Sequence, residues 1–91
     1  MKLKELIKLF DTGIIIGSLV KDNTDWNPYC IVTKIDTLDD KEYKSVSEAK
    51  KDGNPENNIR IWGNWEKTKE EAVKYVSTYR WMFLTSCKLV R

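Results

Sequence analysis

The sequence predicts an α+β domain. It would hold a small antiparallel sheet of about four strands, a short N-terminal helix, and a longer helix in the C-terminal half packed on one face. Three observations predict it. Short β-branched runs are separated by turn-rich stretches, as in "GIIIGSLVK-DNTDWNP-YCIVTKID" (13–36). Two Ser/Thr-x-x-Glu boxes, Ser45/Glu48 and Thr68/Glu71, open helical patterns. And 91 residues make one domain, 1–91, with one core.

Taken in order, Leu3, Leu6, Ile7 and Phe10 fall at i, i+3, i+4 and i+7 and form one face of a first helix, which Gly13 ends. Residues 13–21 read as a strand with Gly17 at a bulge or a close backbone approach. The turn residues 22–28 lead into a second strand, 29–36, in an antiparallel hairpin. In that strand Tyr29, Ile31 and Ile35 share one face and Cys30 and Val32 the other. Ser45 to Gly53 encodes a helix of two turns at most, and "IRIW" (59–62) a strand with Ile59 and Ile61 inward. From Thr68 onward, Ala72, Tyr75, Val76, Tyr79, Met82 and Phe83 form a broad stripe at helical spacing, with Val76 and Tyr79 in the core. The final stretch, 85–91, alternates as a last strand, an extension of the long helix being the alternative.

The longest apolar run, Ile14–Ile16, is far short of the ~20 residues of a membrane span, and the opening residues lack a signal-peptide pattern. A cytoplasmic protein is expected. Cys30 and Cys87 then read as reduced core thiols, a disulfide being the alternative. The net charge of +2 is too small to imply nucleic acid. Residues 1–45 carry seven Lys/Arg against eight Asp/Glu, however, and residues 46–91 nine against six, so the carboxyl end is locally basic.

The chain has no histidine. That removes Ser-His-Asp and Cys-His nucleophile activation and the usual zinc sites, because two cysteines cannot close a tetrahedral shell. Asp36, Asp39, Asp40 and Glu42 cluster, and Glu42-x-Lys44 matches the spacing of some metal-dependent nucleases. E-x-K arises readily in a chain this rich in both residues, so a solvated loop is the simpler reading. No catalytic residue, metal or cofactor is assigned, and a non-enzymatic protein is expected.

The aromatic residues carry more. Trp26 and Tyr29 flank one turn, Trp62 and Trp65 another, and Trp81 is expected late on the long helix, beside its main stripe. Strand alternation sets Arg60 and Trp62 opposite the inward isoleucines, so Trp62 is expected partly exposed beside Arg60, and Trp65 buried. The interaction set is therefore Trp62, Arg60, Trp26, Tyr29, Trp81 and Arg80. A protein partner fits such residues, since Trp, Tyr and Arg dominate interface energies. Nucleic acid is the alternative partner, through Lys74, Arg80, Lys88 and Arg91; a homodimer is left open.

The opening "MKLKELIKLFDTGIIIGSLV", with its Asp-x-Gly after an amphipathic helix, resembles the start of many short proteins from phages and integrated elements of Gram-positive bacteria. The resemblance covers about the first twenty residues. It implies an accessory or anti-defence protein, for example an anti-CRISPR type inhibitor, that binds a host component. It assigns no site residue.

Overall fold

A computed structural model describes residues 13–90. The helix expected over 3–10 lies outside them. In chain order the elements are β1 (Leu19–Asp22), β2 (Tyr29–Ile31), β3 (Lys34–Thr37), β4 (Glu42–Tyr43), α1 (Val46–Lys51), β5 (Ile59–Gly63), α2 (Lys69–Lys74), β6 (Arg80–Phe83) and β7 (Cys87–Leu89). The fold is α+β, with two antiparallel sheets instead of one: β2-β1-β7 and β4-β3-β5-β6.

The expected hairpin is present, but its second strand serves both sheets. Val32 donates to the Ser18 carbonyl (2.9 Å) and accepts from the Gly17 amide (2.8 Å), which continues the pairing with β1. One residue later Thr33 donates to the Trp62 carbonyl (2.9 Å) on β5. The chain changes partner between them, and its alternation changes phase. Cys30, Val32 and Ile35 are all buried, which no single flat strand would allow.

The first strand is shorter than expected. Ile15 makes an isolated bridge to Ser45, and β1 starts only at Leu19. Gly17 sits at φ +94° in the intervening turn, with open space where a Cβ would be. Its use is conformational, not close packing.

Both hydroxyl caps form, while the Glu48 carboxylate takes the Lys44 amide (3.2 Å) instead of the Ser45 one. Ser45 Oγ accepts from the Glu48 amide and Thr68 Oγ from the Glu71 amide, each at 3.1 Å. Gly53 takes φ +90° just after α1, where the left-handed region favours glycine. The second helix is the main correction. It ends at Lys74, and Arg80–Phe83 is a strand on β5. Val76 and Tyr79, expected in the core, are exposed, Tyr79 at 74%. Tyr79, Trp81 and Phe83 also recur at period two, and aromatic side chains fit a pleated surface better than a helix. The Asn64 side chain holds the Tyr75 carbonyl (2.7 Å) just past the end of α2. The two helices do not share one face: α1 lies against β3 and β4, α2 against β2 and β1.

Ile14, Val20, Cys30, Val32, Ile35, Val46, Ile59, Ile61, Trp65, Leu84 and Cys87 belong to one apolar cluster between the sheets. Both thiols are free, and burial pushes each up to about 12. Native protein should therefore resist alkylation at pH 8 and label fully once unfolded, as read by mass spectrometry. Because the folded thiols hold their protons while unfolded ones lose them from about pH 9, stability should fall between pH 9 and 12.

Candidate functional site: an aromatic and charged sheet face

Alternation sorts the four-stranded sheet into two faces. Ile35, Ile59, Ile61 and Met82 point to the core. The opposite face carries Lys34 and Asp36 from β3, Glu42 from β4, Arg60 and Trp62 from β5, and Trp81 and Phe83 from β6. Arg60 stands opposite Asp36 on one side and Phe83 on the other, and Trp62 stands between Lys34 and Trp81.

Asp36 organises this face. Its side chain is only 1% exposed, although it points away from the core. Arg60 donates to both its oxygens, Nε to Oδ1 at 2.8 Å and Nη2 to Oδ2 at 2.6 Å, and Trp62 Nε1 donates to Oδ1 at 2.8 Å. Arg60 Nη2 also reaches Asp40 Oδ1 (2.8 Å), in a turn where Asp40 takes φ +63°. Lys34 Nζ lies 3.8 Å from Asp36 and 3.9 Å from Glu42. The hydrogen bonds from Arg60 to Asp36 hold the guanidinium still more firmly protonated than a free one.

The rings follow from this frame. The Arg60 guanidinium sits 5.4 Å from the centroids of both Trp62 and Trp81, and the Lys34 ammonium 5.1 Å from Trp62. Trp62 and Trp81 are tilted at 50° with centroids 6.4 Å apart, and Trp81 meets Phe83 edge-on at 4.7 Å. Lys34 and Arg60 face three carboxylates, Asp36, Asp40 and Glu42, so the face is charge-compensated and offers a polyanion nothing. Of the carboxylates considered for a nuclease, Asp36, Asp40 and Glu42 are engaged here by cations, and no group of three His, Cys, Asp or Glu among the described residues could hold a metal ion.

The six residues read as an interaction set do not converge. Arg60, Trp62 and Trp81 do. Trp26 is 92% exposed in the loop after β1, where Asp22 and Asp25 side chains brace the backbone by accepting from the Thr24 and Asn27 amides. Arg80 forks onto Asp25 (3.0 and 3.1 Å), which holds that carboxyl below its ordinary range. Tyr29 lies elsewhere again, with the ammonium groups of Lys21 (5.6 Å) and Lys69 (6.0 Å) over its ring. Lys34, Asp36 and Phe83 are not in the interaction set read from the sequence, where Asp36 enters only among the nuclease carboxylates and Phe83 only in the helical stripe. The signal was present in the alternation Lys34-x-Asp36 opposite Arg60-x-Trp62, but pairing is needed to see it.

Trp62 and Trp65 divide as expected. Trp65 is 3% exposed in the core, its indole donating to the Arg80 carbonyl (3.3 Å), whereas Trp62 is half-buried. Trp65→Ala should cost about 3–5 kcal/mol. In thermal melts it should fall well below Trp62→Ala.

Compared with known families, curated proteins and solved structures, the chain matches none.

Proposed function

We propose that this chain is a non-enzymatic interaction module that binds a protein partner through the Arg60–Trp62–Trp81–Phe83 face. In this reading it is an accessory or anti-defence protein of a phage or mobile element acting on a host macromolecule; the resemblance of its first twenty residues supports that assignment. One observation carries the binding reading. A buried carboxylate holds the Trp62 indole and the Arg60 guanidinium, Trp81 packs on that guanidinium and Phe83 on Trp81, and yet the face remains open to solvent, Phe83 at 37% exposure. Such a face gives apolar contact at little cost in side-chain ordering, and its charges are already paired before a partner arrives. The test compares tagged wild type and Trp81→Ala by cross-linking capture from host extract, with folding checked by circular dichroism. A folded Trp81→Ala should capture the partner at least tenfold less well. Equal capture would remove this face from the interface.

A second reading, nucleic-acid binding, draws support from a different place than the basic carboxyl end. Arg80 is neutralised by Asp25. Lys21 and Lys88, however, stand directly opposite each other on β1 and β7, an arrangement of like charges that destabilises a sheet. Tyr29 is the next residue in that row, with Lys69 over its ring. Binding of this kind would weaken steeply with salt and with Lys21→Gln/Lys88→Gln.

A further inference from the structure

We infer that the partner docks as an added strand along the open edge of β6, an inference that rests on the protein-binding reading of the adjoining face. The direction of the peptide groups decides it. Leu38 donates to the Asn58 carbonyl (3.2 Å) and Thr33 to that of Trp62 (2.9 Å), so residues 58, 60 and 62 turn their peptide groups toward β3. Ile59, Ile61 and Gly63 therefore turn theirs toward β6, and the Gly63 carbonyl does accept from the Tyr79 amide (3.3 Å). Met82, opposite Ile61, and Arg80, opposite Gly63, must face β5 in return. Trp81 and Phe83 then present their peptide groups outward, at the end of the sheet. The Phe83 carbonyl is taken by Ser86 Oγ (3.1 Å) and Cys87 Sγ (3.4 Å). Among the described residues the Trp81 N–H, the Trp81 carbonyl and the Phe83 N–H have no partner, three consecutive groups along one edge.

Edges of this kind are ordinarily blunted by lysine, proline or a free charge. Residues 80–83, "RWMF", have none, since Asp25 holds the one charge, Arg80. An incoming strand would make main-chain bonds to Trp81 and Phe83 and lay alternate side chains beside the Trp81–Phe83 pair. The neutral, aromatic flank calls for an extended partner segment with apolar side chains at those positions. A second copy is the weaker occupant. Four residues span only ~13 Å at 3.3 Å each, which gives two β6 strands little of the roughly 1,200 Å² that a stable interface buries.

Phe83 offers the test. Its φ of −68° already suits proline and its N–H points outward, so Phe83→Pro removes one edge donor and obstructs the edge while fitting the strand. Phe83→Ala removes the same ring and leaves the edge open. The probe is a yeast-displayed library of random decapeptides selected on the wild-type protein, the best binder then synthesised with a fluorescent label. It should carry alternating apolar residues and bind Phe83→Pro at least tenfold more weakly than Phe83→Ala. In wild-type protein, amide exchange by NMR should show Trp81 and Phe83 becoming protected when the peptide is added, a readout that holds even where Phe83→Pro fails to fold. Equal affinity for both variants without that protection, or a library that yields no binder, overturns the added strand. Trp81 and Phe83 amides protected before any peptide is added, in a species sedimenting as a dimer, would give the edge to a second copy. A peptide lost to Trp81→Ala that binds both Phe83 variants equally would keep the aromatic face and remove the strand; loss to Phe83→Pro alone would do the reverse.

Discussion

Gly63→Ala should lower the melting temperature by about 12–24 °C, the equivalent of ~3 kcal/mol in a domain of this size. A Cβ at Gly63 would lie 2.0 Å from Cys30 Sγ and 2.5 Å from the Ile31 carbonyl oxygen. Gly63 ends β5 in the four-stranded sheet, while Cys30 and Ile31 belong to β2 in the three-stranded one. The two sheets therefore meet here with no room for a methyl group. The sulfur can rotate away, but the carbonyl is backbone, and relieving that contact means moving β2 away from β5. A double mutant separates the parts. Cys30→Ala in the Gly63→Ala background should recover the share due to sulfur and leave the share due to the carbonyl, so the two changes should be strongly non-additive. A Gly63→Ala protein that melts like wild type would show that the sheets do not approach as described.

Local signals were legible wherever the local reason was also the deciding one. Ser45 and Thr68 cap their helices because a hydroxyl three residues ahead of an amide is enough to do so. Ile59 and Ile61 face inward and Trp62 outward because alternation admits little else once the strand exists. The stretch 75–83 failed because its residues satisfy two periods. Ala72, Tyr75, Val76, Tyr79 and Phe83 keep helical spacing, and Tyr79, Trp81 and Phe83 keep strand spacing. The choice is made by β5, which places Trp62 opposite Trp81 and Ile61 opposite Met82. That contact is distant in sequence, so no window on 75–83 contains it. The switch of partner at Val32–Thr33 is of the same kind: "CIVTKID" looks like one continuous strand until Ser18 claims one residue and Trp62 the next.

The candidate site was half legible for the same reason. Arg60 and Trp62 could be placed on the outer face from their own strand, and the structure puts them there. Asp36 could not, because as one of the clustered acids at the end of a strand it resembles Asp39 and Asp40. Burial, and the three donors that burial brings, set it apart.

Asp36→Ala should cost about 3–5 kcal/mol, a large share of the ~5–15 kcal/mol that holds a small domain folded. The loss exceeds that of a surface ion pair, because what remains is worse than what was removed. Arg60, with a side chain only 12% exposed, would keep Asp40 alone as a counter-charge, and the Trp62 indole would lose its acceptor. Asp36→Asn should fall between wild type and Asp36→Ala, since its carbonyl oxygen still accepts one hydrogen bond while its amide points donors at a donor. Arg60→Met in the Asp36→Ala background should recover part of the loss, for it takes away the stranded charge. The comparison also reads the binding face. Near-ultraviolet circular dichroism reports the fixed environment of Trp62 and Trp81, and in Asp36→Ala that signal should weaken under conditions where the far-ultraviolet spectrum still shows a folded sheet. If Asp36→Ala melts within a degree or two of wild type with its aromatic signal intact, then packing alone orders the rings, and Asp36 is not what holds this face in readiness for a partner.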